Sequence, residues 1–182
     1  MSSRGLRLAL VVVVAAGLAS ASIAFAATRH HHHESTKFSA HLIGYNETPS
    51  LNSTGAGGLS LTIGNNQITF DLTYSGLSGP PLVAHVHVGQ PGVAGGVSFF
   101  FCGGGGKPAC PNNTSGEVKG TVVPADIVGP TAQGFAAGDF ASVVKAIQAG
   151  FTYANMHTTK FPAGEIRGQL VSADENQQGD RG

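Results

Sequence analysis

The chain has little charge, two cysteines and no tryptophan. Its charged fraction is 11%, and 10 basic residues balance 10 acidic residues. Nucleic-acid binding is not expected, because affinity for phosphates depends on clustered lysine and arginine. Two cysteines are too few for a small fold held together mainly by disulfides. A hydrophobic fraction of 41% and a net charge of zero also argue against disorder driven by charge.

Glycine, by contrast, is abundant, at 27 of 182 residues. So many glycines would weaken helix interiors, which argues against a helical bundle. Short runs of alternating apolar and polar residues, separated by Gly, Pro and Asn, instead predict strands. These runs are Lys37–Ile43, Leu59–Ile63, Gln67–Tyr74, Leu82–Val88, Val97–Phe101, Glu117–Val123, Thr152–His157 and Glu165–Val171. The pattern predicts an all-β protein, a Greek-key-like β-sandwich or barrel of about eight short strands.

One segment has the pattern of a short helix, at about residues 139–149. Asp139 is suited to cap its N-terminus, and Gly150 is suited to end it. The apolar residues between them recur at helical spacing and form one stripe, which we expect to pack against the core. A shorter helical turn is predicted at Pro124–Val128.

Residues 1–26 have the pattern of a secretory signal peptide. Arg4 and Arg7 precede the apolar run Leu8–Ala19, and Ala24-Phe25-Ala26 matches the cleavage pattern. The alternative is a membrane anchor, which needs about 20 apolar residues. Because this run is shorter, we expect cleavage near Ala26 and a secreted protein, either extracellular or in the cell envelope. No later segment is apolar enough to predict a transmembrane span.

The exported chain is predicted to hold one β domain, residues 37–171, between two polar flexible tails. The N-terminal tail, residues 27–36, contains four consecutive histidines at His30–His33. A flexible polyhistidine tract can itself capture divalent metal ions. The C-terminal tail, residues 172–182, is rich in Asp, Glu, Asn and Gln.

Cys102 and Cys110 enclose a loop that contains four glycines. In an exported protein this spacing favours a disulfide, which would restrain the loop and contribute about 2–3 kcal/mol to stability. The alternative is a pair of thiolate metal ligands, which is less favoured because exported thiols tend to oxidise.

The most distinctive chemistry lies in the segment that contains His85 and His87. Alternate residues of a strand project from one face, so these two imidazoles lie side by side. His157 offers a third imidazole if its strand is a neighbour, and His41 is a further candidate. Three histidines could form an open site for copper or zinc. The alternative is that the imidazoles hydrogen-bond to carbonyls, to hydroxyls or to Glu165.

Other polar residues lie close to these histidines in the sequence. Asn155 shares a predicted strand face with His157, and Glu165 shares one with Arg167. Arg167 could clamp a carboxylate or phosphate ligand, or it could pair with a nearby Glu and brace the sheet. We therefore assign Asn155, Glu165 and Arg167 structural or ligand-contacting roles. No catalytic residue is assigned, because the sequence has no nucleophile elbow, no P-loop and no evident pair of glycosidase carboxylates.

Several segments together resemble the chordin-domain (CHRD) family. Phe38-Ser39-Ala40-His41-Leu42 and Asn46-Glu47-Thr48-Pro49 are similar to its opening motifs, and Ala84-His85-Val86-His87 is similar to a central one. Gly150–Thr158 and Gly164–Leu170 are similar to its closing motifs. The resemblance implies an extracellular β-sandwich-like module, as in chordin, a secreted growth-factor antagonist, and in secreted microbial proteins. The chain is most similar to the single-domain microbial type.

Two functions are expected from these observations. The first is a secreted, non-enzymatic module that binds an extracellular protein or surface ligand, or has a structural role, without a cofactor. The second is a secreted copper- or zinc-binding protein that uses His85, His87 and His157. The second requires that the three imidazoles converge on one point, about 2.0–2.1 Å from a metal ion. It would fail if His157 lay on the opposite sheet from His85.

Overall fold

The structure, a computed structural model, describes residues 36–173. The predicted signal peptide and most of both predicted tails lie outside this range. Within it the chain forms nine strands, one α-helix and three short 3-10 helices. The strands are β1 (Lys37–Ile43), β2 (Ala56–Gly64), β3 (Gln67–Ser75), β4 (Pro81–Val88), β5 (Gly96–Cys102), β6 (Gly116–Val122), β7 (Thr152–Thr158), β8 (Ile166–Gln169) and β9 (Val171–Ser172), and helix α1 is Phe140–Gln148. The 3-10 helices are Gly44–Asn46, Pro124–Asp126 and Thr131–Gln133.

The strands form one antiparallel sheet that nearly closes into a barrel. The order is β5-β4-β7-β8-β1-β2-β3-β6, and β9 also pairs with β1. The backbone N–H of Val128, after β6, donates to the carbonyl of Ser98 in β5 at 2.8 Å. This bond links the two ends of the strand order. The all-β prediction with one short helix is therefore confirmed.

The strand count differs from the prediction at the C-terminal end of the domain. The predicted strand Glu165–Val171 is two strands, β8 and β9, because the chain changes partners between them. β8 pairs mainly with β7, whereas β9 pairs with β1. Leu170 lies at the change, and its backbone N–H donates to the carbonyl of Thr152 at 2.9 Å. Pairing partners are set by the sheet as a whole, so the uniform alternation of the sequence did not reveal the break.

Helix α1 begins and ends where the sequence predicted. The Asp139 side chain accepts a hydrogen bond from the backbone N–H of Ser142 at 3.1 Å, as an N-cap does. Val143 and Ile147 are fully buried against the core. Gly150 follows in a left-handed conformation with φ 75°, which ends the helix without a side-chain clash. No helix in residues 36–173 is long and apolar enough to cross a membrane.

Strand alternation decides which side chains face away from the core. In β4, Ala84 and Val86 are fully buried in the core, so His85 and His87 project from the outer face of the sheet. In β7, Ala154 and Met156 are fully buried in the core. The residues of β7 that alternate with them project from the outer face, namely Tyr153, Asn155 and His157.

The disulfide between Cys102 and Cys110 is present, with Cα atoms 4.9 Å apart. It excludes the alternative of a thiolate metal pair. The loop that it closes lies against Phe100 of β5, where a Cβ added to Gly104 or Gly105 would collide with the ring. The glycines of this loop therefore allow the backbone to approach Phe100 closely.

Candidate metal centre

Three histidines converge on the outer face of β4 and β7. These strands are direct neighbours, and His85 lies opposite Asn155 in the register. The ring centroids of His85 and His87 are 4.5 Å apart, and those of His85 and His157 are 4.8 Å apart. One ring nitrogen from each residue lies within 4.8 Å of the others. We call these three residues the histidine cluster.

The hydrogen bonds of His87 and His157 determine which nitrogen carries the proton. His87 Nδ1 lies 2.8 Å from the Gly95 carbonyl oxygen, and His157 Nδ1 lies 2.9 Å from that of Pro162. A carbonyl oxygen can only accept, so each Nδ1 must donate. In a neutral ring, Nε2 then has a free lone pair. Both Nε2 atoms are buried and have no hydrogen-bond partner.

His85 completes the cluster from its buried side. The residue is only 5% exposed, and its Nδ1 is buried without a hydrogen-bond partner. The Phe100 ring meets the His85 ring edge-on, with centroids 5.2 Å apart. The cluster thus offers one unpaired nitrogen from each ring, next to an apolar wall.

Burial keeps His85 and His87 uncharged at neutral pH. It lowers the pKa of His85 to about 3, and repulsion from His87 and His157 adds to the effect. It also lowers the pKa of His87 to about 4, although the hydrogen bond to Gly95 acts in the opposite direction. A neutral imidazole is the form that binds a metal ion.

A stack of side chains holds His87 in place. Tyr153 lies flat against its ring, with centroids 4.6 Å apart and an interplanar angle of 7°. The Arg167 guanidinium covers the Tyr153 ring at 3.4 Å from its centroid. Gly95 connects both rings, because its N–H donates to the Tyr153 hydroxyl at 3.1 Å while its carbonyl accepts from His87.

Arg167 also anchors the loop between β4 and β5. It is 3% exposed, and its Nη2 donates to the Val93 carbonyl at 2.8 Å and the Gln90 carbonyl at 3.3 Å. Nη1 donates to the Thr48 hydroxyl at 2.9 Å. Arg167 braces the fold through hydrogen bonds to carbonyls and a hydroxyl, and not through the expected pairing with a Glu. The loop that supplies Gly95 is thereby positioned.

Asn155 joins the cluster face to a buried carboxylate. Its Nδ2 donates to Glu47 Oε1 and to the Ile166 carbonyl. Burial raises the pKa of Glu47 to about 7, even though Arg167 and the hydrogen bond from Asn155 lower it. Glu47 and Arg167 also line a cavity of about 350 Å³.

We expect the fold to lose stability as the pH rises through the pKa of Glu47. Between about pH 4.5 and 7 the folded state holds a proton on Glu47 that the unfolded chain has released. Glu47→Gln removes this dependence. In urea unfolding, the free energy of unfolding of the native chain should therefore fall by on the order of 2 kcal/mol between about pH 5 and 8. The variant should not show this fall. Glu117→Gln, at an exposed position of β6, is the control. The prediction would be contradicted if the free energy of unfolding changed with pH equally in all three proteins.

Glu165 and His41 lie apart from the cluster. Glu165 is fully buried, and its Oε1 accepts from the Ser53 hydroxyl at 2.6 Å and the Ser78 N–H at 2.8 Å. Its Oε2 accepts from the Thr158 hydroxyl at 2.6 Å. Of the alternative interpretation, the bonds to carbonyls are observed for His87 and His157, whereas the bond to Glu165 is not. His41 is exposed on β1 and is not part of the cluster.

Sequence reasoning missed the groups that orient the imidazoles. Gly95 and Pro162 act through backbone carbonyls, which leave no signal in a residue pattern. The sequence pattern placed Phe100 in a predicted strand but did not indicate its contact with His85. Glu47 lies within a family-like motif, but nothing local to it indicated that it would meet Asn155, 108 positions away.

The sequence matches one known domain family. The family model described as the CHRD domain matches residues 38–170, which is most of the chain. Comparison with curated proteins and with solved structures gives no match.

Proposed function

Because the chain belongs to the CHRD-domain family, we propose that it is a secreted β module that binds one transition-metal ion, copper or zinc. The ligands are His85, His87 and His157. One observation carries this proposal, namely that each ring of the cluster has a buried nitrogen without a hydrogen-bond partner. The Nδ1–H groups of His87 and His157 are meanwhile bonded to carbonyls, as the second nitrogen of a metal-binding histidine usually is.

A purely structural role accounts less well for this arrangement. A buried polar group without a partner destabilises a fold by about 1–3 kcal/mol. Three such nitrogens converge here, so a bound ion would satisfy all of them together. A tetrahedral ion with bonds of 2.0–2.1 Å needs nitrogens about 3.3 Å apart. One ring nitrogen from each histidine already lies within 4.8 Å of the others, so side-chain rotations would bring the donors to that spacing.

Secretion is part of the proposal. The signal-peptide pattern of residues 1–26 supports it, and the Cys102–Cys110 disulfide and the CHRD domain fit an extracellular protein. The binding of an extracellular protein or surface ligand, which the sequence also suggested, stays a prediction. The metal function is preferred because the unpartnered ring nitrogens of His85, His87 and His157 support it.

The test is the metal content of the chain after exposure to copper or zinc and removal of excess ion. His30–His33 are changed to Ser in every protein, because that tract could capture metal by itself. We expect about one ion per chain. In His85→Ala/His87→Ala the metal affinity should fall by at least about 100-fold. His41→Ala is the matched control and should retain the ion.

Two results would overturn this function. One is equal metal content in the parent chain and in a folded His85→Ala/His87→Ala variant. The other is no metal in the parent chain. Circular dichroism shows whether the variant folds. If it does not, the single variant His157→Gln serves instead, since His157 is less buried than His85.

A further inference from the structure

We propose that the histidine cluster selects monovalent copper, Cu(I), over Cu(II) and Zn(II). This inference rests on the proposed function, because it assigns the ion that His85, His87 and His157 would bind. It follows from the charge of the surroundings, the burial of the cluster and the number of donors.

The donors themselves are uncharged. Within residues 36–173, the cluster of ligand atoms contains imidazole nitrogens and neither a carboxylate nor a thiolate. An ion held there would keep its full positive charge. Zinc sites in proteins instead commonly include thiolates or carboxylates, which offset the charge of the dication.

The side chains around the cluster do not offset the charge either. Arg167 lies over the ring that stacks on His87, so its positive charge stands close to the cluster and adds to the charge of a bound ion. The buried carboxylates on the adjoining segments are bonded elsewhere. Glu47 accepts from Asn155, and Glu165 accepts from two hydroxyls and a backbone N–H.

Because the cluster is buried and lacks negative charge, it favours an ion of low charge. The energy lost when an ion leaves water scales with the square of its charge, so a dication loses about four times as much as a monocation. His85 is 5% exposed, and the nitrogens offered by the cluster are buried. A single positive charge is therefore much easier to accommodate here than a double one.

The number of donors points the same way. The cluster supplies three nitrogens, which complete a three-coordinate Cu(I) ion, whereas zinc takes a fourth ligand in addition to three protein ligands. A fourth ligand would have to be water or another side chain. Beside His85 lies the Phe100 ring, which is apolar and offers no ligand atom, and Gly104 and Gly105 pack closely against that ring. The disulfide loop thus backs the apolar ring that borders His85.

The test is competition for each ion between chromophoric chelators and the chain with His30–His33 changed to Ser. Cu(I) is measured without oxygen. We expect Cu(I) to bind about 100-fold more tightly than Cu(II), with Zn(II) weaker still, reversing the usual advantage of divalent copper at nitrogen sites. A 100-fold preference raises the one-electron potential by about 120 mV above that of copper in the same buffer without protein.

The outcomes separate this inference from the proposed function. If Cu(II) or Zn(II) binds as tightly as Cu(I), and His85→Ala/His87→Ala abolishes that binding, the metal site stands and the selectivity is wrong. If no ion binds, both proposals fail.

A second variant tests the charge argument directly. Phe100→Asp introduces a carboxylate beside His85 and should shift the preference toward Cu(II) and Zn(II). An unchanged preference in a folded Phe100→Asp protein would overturn the argument. If that variant does not fold, the competition in the parent chain decides the question.

Discussion

Replacement of Glu165 by Ala is expected to lower the free energy of unfolding by about 3–5 kcal/mol. The carboxylate is fully buried and accepts three hydrogen bonds, from Ser53, Ser78 and Thr158. These donors come from three separate segments that meet at one end of the barrel. Without the carboxylate, three donors lose their acceptor at once, and the side chain leaves a cavity. Urea unfolding of the variant and the parent measures the difference.

Two further variants identify the cause of the loss at Glu165. Glu165→Gln keeps the size of the side chain but replaces one acceptor oxygen by a donor, so an intermediate loss is expected. Glu117→Ala removes an exposed carboxylate of β6 and should change stability by no more than about 0.5 kcal/mol. If Glu165→Ala behaved like Glu117→Ala, the carboxylate would not hold these segments together.

Glu165 should also make the fold sensitive to acid. Burial alone would raise its pKa, but hydrogen bonds from Ser53, Thr158 and Ser78 hold the pKa below the usual range. A lowered pKa means that this stabilisation is present above the unfolded value of 4.5 and is lost as the pH falls through the folded value. Glu47 acts in the opposite direction at higher pH. The two carboxyls together predict maximal stability near about pH 5.

Replacement of Arg167 by Met is expected to lower stability by about 3–5 kcal/mol and to weaken metal binding about 10- to 100-fold, because the loss of the loop anchor outweighs the removal of a repulsive positive charge. The variant leaves the carbonyls of Gln90 and Val93 without their donor. It also removes the positive charge that partly offsets the buried Glu47. The loop that supplies the Gly95 carbonyl to His87 would then lose its anchor. Chemical unfolding and copper competition measure the two effects.

Arg167→Lys distinguishes positioning from stability alone. Lysine keeps the positive charge near Glu47, but it lacks the planar fork that reaches two carbonyls and covers Tyr153. We expect this variant to fold and still to bind metal more weakly. If its metal affinity equalled that of the parent, Arg167 would serve the fold and not the cluster.

Much of the site could be predicted because strand geometry is local. The spacing of His85 and His87 places them on one strand face whatever the rest of the chain does. The same rule places Asn155 beside His157 in β7. The Asp139 cap and the Cys102–Cys110 pair depend likewise on short-range spacing. The grouping of Glu165 with Arg167 was less informative, because Glu165 precedes β8 and bonds to other segments.

The sequence by itself determined the strand pattern, the one helix, the family and the faces on which the histidines lie. The strands, the helix and the histidine faces follow from alternation and spacing over a few residues, and the family follows from motifs that resemble it. Only the tertiary structure decided that β4 and β7 are neighbours, so that His157 joins His85 and His87. It also decided which nitrogens are free, because the carbonyls of Gly95 and Pro162 reach the imidazoles through loop conformation. Strand pairing and loop conformation depend on the packing of the whole barrel, which no local pattern encodes.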